Sequence, residues 1–152
     1  MPANQIPITP ITPNVNSVKI TTGSVLVRSD GSAPNAIGTD HFLLFTAGAN
    51  GSIIQRIRFN VVSSTAAVNS VATTLRIFRS TVSSGTPTAS NTHLLAEVSV
   101  PIISASNSTN ATNYYDIPLN MVLPTGQFLL VSQHIAQTAN QSWQATAFGA
   151  DY

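Results

Sequence analysis

Residues 45–59 read FTAGANGSIIQRIRF, and this stretch predicts two strands joined by a turn. One apolar run enters a glycine-rich segment and a second apolar run leaves it. The dipeptide Asn50-Gly51 in that segment tolerates the positive φ angles of a tight hairpin, because glycine has no Cβ and asparagine accepts such angles at little cost. We therefore predict a β-hairpin with strands over residues 40–47 and 53–62. If Asn50-Gly51 lies in a wider loop instead, the strands remain and only the turn type changes.

The strand after the turn alternates in polarity, which is typical of a strand half buried on a core. Arg56 and Arg58 share its outer side and make this side its most charged spot. We expect one side to face the core (Ile53, Gln55, Ile57, Phe59 and Val61) and the other to face outward (Ile54, Arg56, Arg58 and Asn60).

Apolar or alternating runs recur along the chain, separated by segments rich in Gly, Pro, Asn and Ser. No apolar run of helical length has the spacing i, i+3, i+4, i+7. About eight or nine short antiparallel strands with turn signals between them predict an all-β fold, a β-sandwich of jelly-roll-like type. The predicted strands cover residues 15–20, 24–28, 40–47, 53–62, 71–79, 92–100, 114–119, 127–134 and 142–149.

The chain begins with a proline-rich segment, IPITPITP over residues 6–13. Each proline favours an extended backbone at the preceding residue, so the segment predicts an extended arm of polyproline-II type. We divide the chain into residues 1–36, with the arm and short leading strands, and residues 37–152, the β-sandwich domain. The arm is either a disordered leader or a stiff apolar strip on a neighbouring subunit, and its isoleucines favour the strip. The candidate interface residues of the arm are Ile6, Pro7, Ile8, Pro10, Ile11 and Pro13.

The composition narrows the possible functions. Only 7% of the residues are charged, against about 25% in typical domains. Six basic and five acidic residues do not make a phosphate-binding stripe, so no nucleic-acid partner is expected. No apolar run approaches the roughly 20 residues of a membrane span, and no signal peptide is visible, so no membrane partner is expected. The net charge of +1 favours association of the chain with itself or with a partner.

No residue pattern predicts catalysis or cofactor binding. The three histidines are far apart in the sequence, and the carboxylates are isolated from one another. The chain has no cysteine, no G-x-S-x-G motif and no phosphate-binding glycine loop with its lysine. We therefore expect no enzymatic activity, no bound metal and no cofactor.

Two groups of aromatic residues are candidates for binding. Phe78 lies between Arg76 and Arg79, and alternation predicts that Arg76 and Phe78 face outward, an arrangement common in interface anchors. Trp143 together with the three tyrosines would form a platform for a sugar ring. The competing expectation, which the small residues beside it favour, is that Trp143 belongs to the core.

Parts of the sequence resemble the small head decoration, or capsid cement, proteins of tailed bacteriophages. The resemblance covers about residues 40–152 and excludes the arm. It implies a jelly-roll-like sandwich without enzymatic activity, often a homotrimer at local threefold positions. Such proteins bind the outer surface of the capsid in the virion and staple neighbouring major capsid protein subunits. The similar segments are residues 45–52 (FTAGANGS) followed by 57–58 (IR), 75–78 (LRIF), 123–126 (LPTG) and 148–152 (FGADY).

The alternative expectation belongs to a different class of function. If Trp143 and the tyrosines form an exposed platform, the chain is a carbohydrate-recognition module or a tail-fibre or receptor-binding component. A glycan array with Trp143→Ala as control separates the two expectations, because specific sugar binding that is lost in the variant would favour recognition.

Overall fold

The computed structural model describes residues 9–21, 36–65, 68–106 and 114–152, and all of their regular structure is β. The predicted strand over residues 24–28 and the candidate residues Ile6, Pro7 and Ile8 lie outside this range. The strands are β1 (Thr12–Ile20), β2 (Phe42–Thr46), β3 (Ser52–Ser63), β4 (Val68–Asn69), β5 (Thr73–Ser80), β6 (Thr92–Val100), β7 (Ser104–Ala105), β8 (Tyr114–Leu123), β9 (Phe128–Gln133) and β10 (Gln141–Asp151).

Eight of these strands form two four-stranded antiparallel sheets, and the predicted all-β sandwich is confirmed. The first sheet has the order β1-β10-β3-β8 and the second the order β2-β9-β5-β6. The short strands β4 and β7 pair with each other. Among the eight long strands, β5 and β6 are the one pair that is consecutive in the chain and adjacent in a sheet. The chain therefore passes repeatedly from one sheet to the other.

The core lies between the inner faces of the two sheets. Phe59 and Trp143 from the first sheet and Phe45 from the second are among its largest fully buried side chains. Complete burial of a large apolar side chain contributes about 1.5–3 kcal/mol relative to its exposure. The competing expectation for Trp143 is thus confirmed, since the ring is fully buried.

The predicted hairpin is wrong, because its two strands belong to different sheets. β2 pairs with β9, whereas β3 lies between β10 and β8. The turn carries the chain across the sandwich, and the Gly51 N–H donates to the Gly48 carbonyl at 3.0 Å. Gly51 has a φ of 89°, which favours glycine. Crossing allows both apolar strands to face one core from opposite sides. The wider-loop alternative is right that the two strands remain, but their pairing is lost as well as the turn type.

A β-bulge changes the predicted faces of β3. In the pairing with β10, Ile54 lies opposite Gly149 and Arg56 lies opposite Phe148, which leaves Gln55 as an extra residue. Ile54 is therefore fully buried, although strict alternation predicts that it faces outward. Arg56 keeps its predicted outward position. Beyond the bulge the prediction for the core side, with Ile57, Phe59 and Val61 buried, is confirmed.

The first described residues do not all belong to an arm. β1 pairs with β10 along its whole length, and Pro13 lies within this edge strand opposite Ala150. Proline has no N–H to donate to a neighbouring strand. It is tolerated in an edge strand because one side of that strand has no neighbour. Pro10 and Ile11 precede the strand and are exposed, Ile11 to 79%. Residues 12–20 therefore form part of the sandwich.

Candidate protein-binding face

The outer face of the β1-β10-β3-β8 sheet carries the candidate site. Inner residues of these strands pack into the core, so every second residue away from the bulge faces outward. Two neighbouring cross-strand rows of this outer face are polar, and the next two are mostly apolar. The polar rows are Lys19–Gln144–Asn60–Tyr114 and Ser17–Thr146–Arg58–Asp116, and the apolar rows are Val15–Phe148–Arg56–Pro118 and Pro13–Ala150–Ile53–Val122.

The mostly apolar rows, which we call the apolar half of the face, leave large side chains in contact with solvent. Val15 is 56% exposed and Val122 is 54% exposed. Monomeric proteins rarely leave wide contiguous apolar areas uncovered, and such areas mark interaction sites. This half of the face therefore has the character of a binding surface.

The polar half contains a preformed ion pair. Arg58 donates two hydrogen bonds of 2.7 Å to the Asp116 carboxylate, and its guanidinium lies 4.1 Å from the Tyr114 ring centroid. These hydrogen bonds lower the pKa of Asp116 and raise the pKa of Arg58. The charge of Arg58 is thus compensated within the sheet.

Arg56 is held differently. Its guanidinium carbon lies 4.4 Å from the centroid of the Phe148 ring, a cation–π contact. The nearest carboxylate oxygen, on Asp116, is 3.9 Å from its Nε, and this Nε has no hydrogen-bond partner among the described residues. Arg56 also borders a shallow hollow of about 380 Å³, which is lined by Ile53, Gln55, Arg56, Pro118 and Asn120.

The interface anchor predicted around Phe78 is wrong. Phe78 lies on the outer face of its sheet, as alternation predicts, but it is fully buried there beside Leu130, under Ile37 and Leu94. Arg76 is also mostly buried, and its Nε donates to Glu97 at 3.1 Å. The sequence pattern indicates which side of the strand Phe78 occupies but does not show that other residues cover this side.

Arg79 does not share the side of Phe78. It pairs in register with Leu129, a residue of the main core, whereas Phe78 pairs with Leu130. Strand alternation therefore directs Arg76 and Phe78 to one side and Arg79 to the other. The three residues do not form one surface.

The aromatic platform around Trp143 is not formed. The Trp143 ring is fully buried and contacts Tyr115 edge to face, with 6.0 Å between the ring centroids. Tyr114 is 55% exposed, but its ring is already covered on one side by Arg58. The carbohydrate-recognition alternative therefore loses the ring on which it depended.

Three of the family-like segments meet at one end of the sandwich. The Asp151 carboxylate accepts hydrogen bonds from the Ser52 hydroxyl and from Asn14 Nδ2, the latter at 3.0 Å. A Cβ on Gly48 would lie 2.7 Å from Asp151 Cγ, and one on Gly51 would lie 3.1 Å from the Leu123 carbonyl oxygen. Three of the segments that carry the resemblance (residues 45–52, 123–126 and 148–152) thus contact one another here. The fourth, residues 75–78, lies in the other sheet.

We expect Asp151→Ala to lower the free energy of unfolding by about 1–3 kcal/mol, because Ser52 and Asn14 lose their shared acceptor. Urea denaturation followed by circular dichroism measures this change. The control is Ser17→Ala, which removes an exposed hydroxyl hydrogen bond to Thr146 and is expected to change stability by at most about 0.5 kcal/mol. Equal effects of the two variants would contradict the structural role of Asp151.

Metal-binding clusters and membrane-spanning helices are the structural features that concern the expectations of no bound metal and no membrane partner. Within the described ranges, no group of three or more His, Asp or Glu side chains is arranged to hold a metal ion. The same part of the chain contains no helix that is long and apolar enough to cross a membrane.

The sequence alone identified Arg56 and Arg58 as outward-facing but not the residues that surround them. Phe148 and Val15 are brought beside Arg56 by pairing between strands that are distant in the chain. A period-two pattern in one strand carries no information about its neighbours. Comparisons with protein-family models, curated proteins and solved structures found no match to the chain.

Proposed function

We propose that the chain is a structural virion protein that binds the outer surface of a tailed-phage capsid and cements neighbouring major capsid protein subunits. The observation that carries this proposal is the apolar half of the outer face, where Val15, Phe148 and Val122 surround a single arginine. Interface cores combine exposed aromatic and apolar side chains with arginine and few other charges. The sequence resemblance supplies the identity of the partner.

We also propose that the sandwich is a jelly roll. The proposal is supported by eight long strands in two four-stranded sheets and by a chain that repeatedly changes sheet. Jelly rolls occur in viral capsid proteins and in lectins, so this architecture alone does not distinguish between the two expected functions. The buried Trp143 ring favours the structural function over sugar recognition.

The assembly that we propose is a homotrimer whose apolar faces meet the capsid. Copies placed by symmetry bind together, so a modest contact area per copy gives a high overall avidity. The exposed Ile11 lies next to the apolar half, because its N–H donates to the Asp151 carbonyl at 3.0 Å. Ile11 is therefore proposed to contact a neighbouring subunit or the capsid shell.

A co-sedimentation experiment with undecorated capsids of the phage that encodes the chain tests this proposal. Val15→Ser combined with Val122→Ser is expected to weaken capsid binding about tenfold or more, through loss of buried apolar area. The matched control is Ile102→Ser with Ile135→Ser, since these isoleucines are 61% and 43% exposed at other places on the surface. Deletion of residues 1–9 leaves β1 intact and is also expected to weaken binding.

Two outcomes of this experiment would reject the proposal. The first is failure of the wild-type chain to sediment with capsids under any salt condition. The second is equal loss of binding in the face variant and in the isoleucine control, which would show that the apolar half has no special role.

A further inference from the structure

Arg56 combines three properties that rarely occur together in an exposed arginine. Its guanidinium is oriented by stacking on Phe148 at 4.4 Å. Its side chain remains 43% exposed, and it lies 3.9 Å from the nearest carboxylate oxygen, a longer contact than the 2.7 Å hydrogen bonds between Arg58 and Asp116. It is therefore positioned to accept a further anionic partner with little loss of side-chain entropy.

The charge of the whole face indicates the sign of its partner. The outer face carries Lys19, Arg56 and Arg58 but one acidic residue, Asp116, so three positive charges stand against one negative charge. The whole chain has a net charge of only +1, which means that this face is more positive than the rest. A second copy presenting the same face would bring like charges together, which is unfavourable. Charge complementarity therefore favours an acidic partner over a second copy.

The hollow beside Arg56 limits how this partner is bound. Ile53 and Pro118 are the apolar residues of its lining, and Gln55 and Asn120 are uncharged polar residues of the lining. Its volume of about 380 Å³ accommodates one or two side chains. The hollow therefore suits a short acidic side chain that has an apolar neighbour.

We propose that the hollow binds a carboxylate side chain of an acidic protein segment, with the Arg56 Nη groups as its hydrogen-bond donors. The apolar neighbours of that carboxylate pack on Val15 and Phe148, which exclude water from the contact. The identification of the segment with the capsid shell rests on the proposed function. The chemistry of the contact does not, because it follows from the charges and geometry of this face.

Peptide selection tests the inference without any capsid. A random peptide library displayed on filamentous phage is selected on the immobilised wild-type chain and depleted on the Arg56→Gln variant. We expect the selected peptides to contain Asp or Glu next to apolar residues. A synthetic selected peptide should bind Arg56→Gln about tenfold or more weakly than the wild-type chain, and binding should weaken at high salt.

Two further variants make this result specific. Arg79→Gln removes an arginine on the other sheet and is expected to leave peptide binding unchanged. Arg56→Lys keeps the charge but lacks the planar fork, so it is expected to bind with intermediate affinity. Circular dichroism and the unfolding midpoint of each variant confirm that the fold is retained.

Several outcomes would overturn the inference. Selected peptides without acidic residues would do so, as would equal losses in Arg56→Gln and Arg79→Gln, or tighter binding of single-stranded DNA than of the peptide. If capsids bind the wild-type chain and Arg56→Gln equally well and the selected peptides do not depend on Arg56, the inference fails and the proposed function stands. If acidic peptides bind through Arg56 while capsids do not bind, the inference stands and the proposed function fails.

Discussion

Replacement of Phe78 by alanine is expected to lower the free energy of unfolding by about 3–5 kcal/mol. Phe78 is fully buried beside Leu130 and packs against Ile37 and Leu94. Its ring also contacts the His41 ring edge to face, with 4.9 Å between centroids. Removing the ring leaves a cavity that the surrounding strands fill only in part, and urea denaturation measures the resulting loss.

The same variant separates a core role of Phe78 from an interface role. Tyr114→Ala is the control, because Tyr114 is 55% exposed and its loss is expected to cost at most about 1 kcal/mol. If Phe78→Ala retained wild-type stability and lost only partner binding, Phe78 would be an interface anchor after all. A large loss of stability confirms that it belongs to a second, smaller core.

A decrease in pH is expected to destabilise the protein through His41. The His41 ring is fully buried, and this burial lowers its pKa from 6.5 to about 4, although the negative charge of Asp40 opposes the shift. Between these pH values the unfolded chain binds a proton at His41 and the folded chain does not. The free energy of unfolding therefore falls as the pH decreases from about 6.5 to about 4, by about 3 kcal/mol in total.

Urea denaturation at a series of pH values measures this effect. His41→Gln has no group that titrates in this range, so we expect its stability to depend less steeply on pH than that of the wild type. His93→Gln is the control, because His93 is exposed and its replacement is expected to preserve the wild-type slope. A wild-type slope in His41→Gln would show that other groups cause the acid sensitivity.

The architecture was more predictable from the sequence than the pairing of its strands. Alternation and turn residues were sufficient to predict an all-β sandwich, and they identified Ile57 and Phe59 as core residues. They also predicted a hairpin between β2 and β3 that does not form, since the two strands lie in different sheets. Local patterns fix which side of a strand is apolar, but the partner of a strand depends on contacts distant in the sequence.

One bulge accounts for the residues of β3 whose predicted faces were wrong, and a second bulge lies in β6. The extra residue at Gln55 moves Ile54 into the core. In β6, the pairing with β5 jumps from Ala96 to Leu94, and Leu94 joins Phe78 in the smaller core. Neither bulge has a glycine at the extra position, so the sequence of the bulged strand gives no signal of it. The neighbouring strand β10 does have a glycine next to the first bulge. This residue is Gly149, where a Cβ would lie 2.5 Å from the Ile53 carbonyl oxygen.

The candidate face shows the same division between what was and was not predictable. The outward positions of Arg56 and Arg58 follow from a single strand. The different states of these arginines, one paired with Asp116 and the other stacked on Phe148, depend on the register of three strands. For Phe78, the side of the strand was predicted correctly. The sequence did not predict that Ile37 and Leu94 would cover this side and bury the ring.

The position of β10 has a consequence for biosynthesis. This strand lies between β1 and β3, so the first sheet has a gap at its centre until Gln141–Asp151 has left the ribosome. Until then the nascent chain exposes the unpaired backbone edges of two strands whose partner is still missing, and such edges favour aggregation. Pairing between such distant segments also makes folding slow.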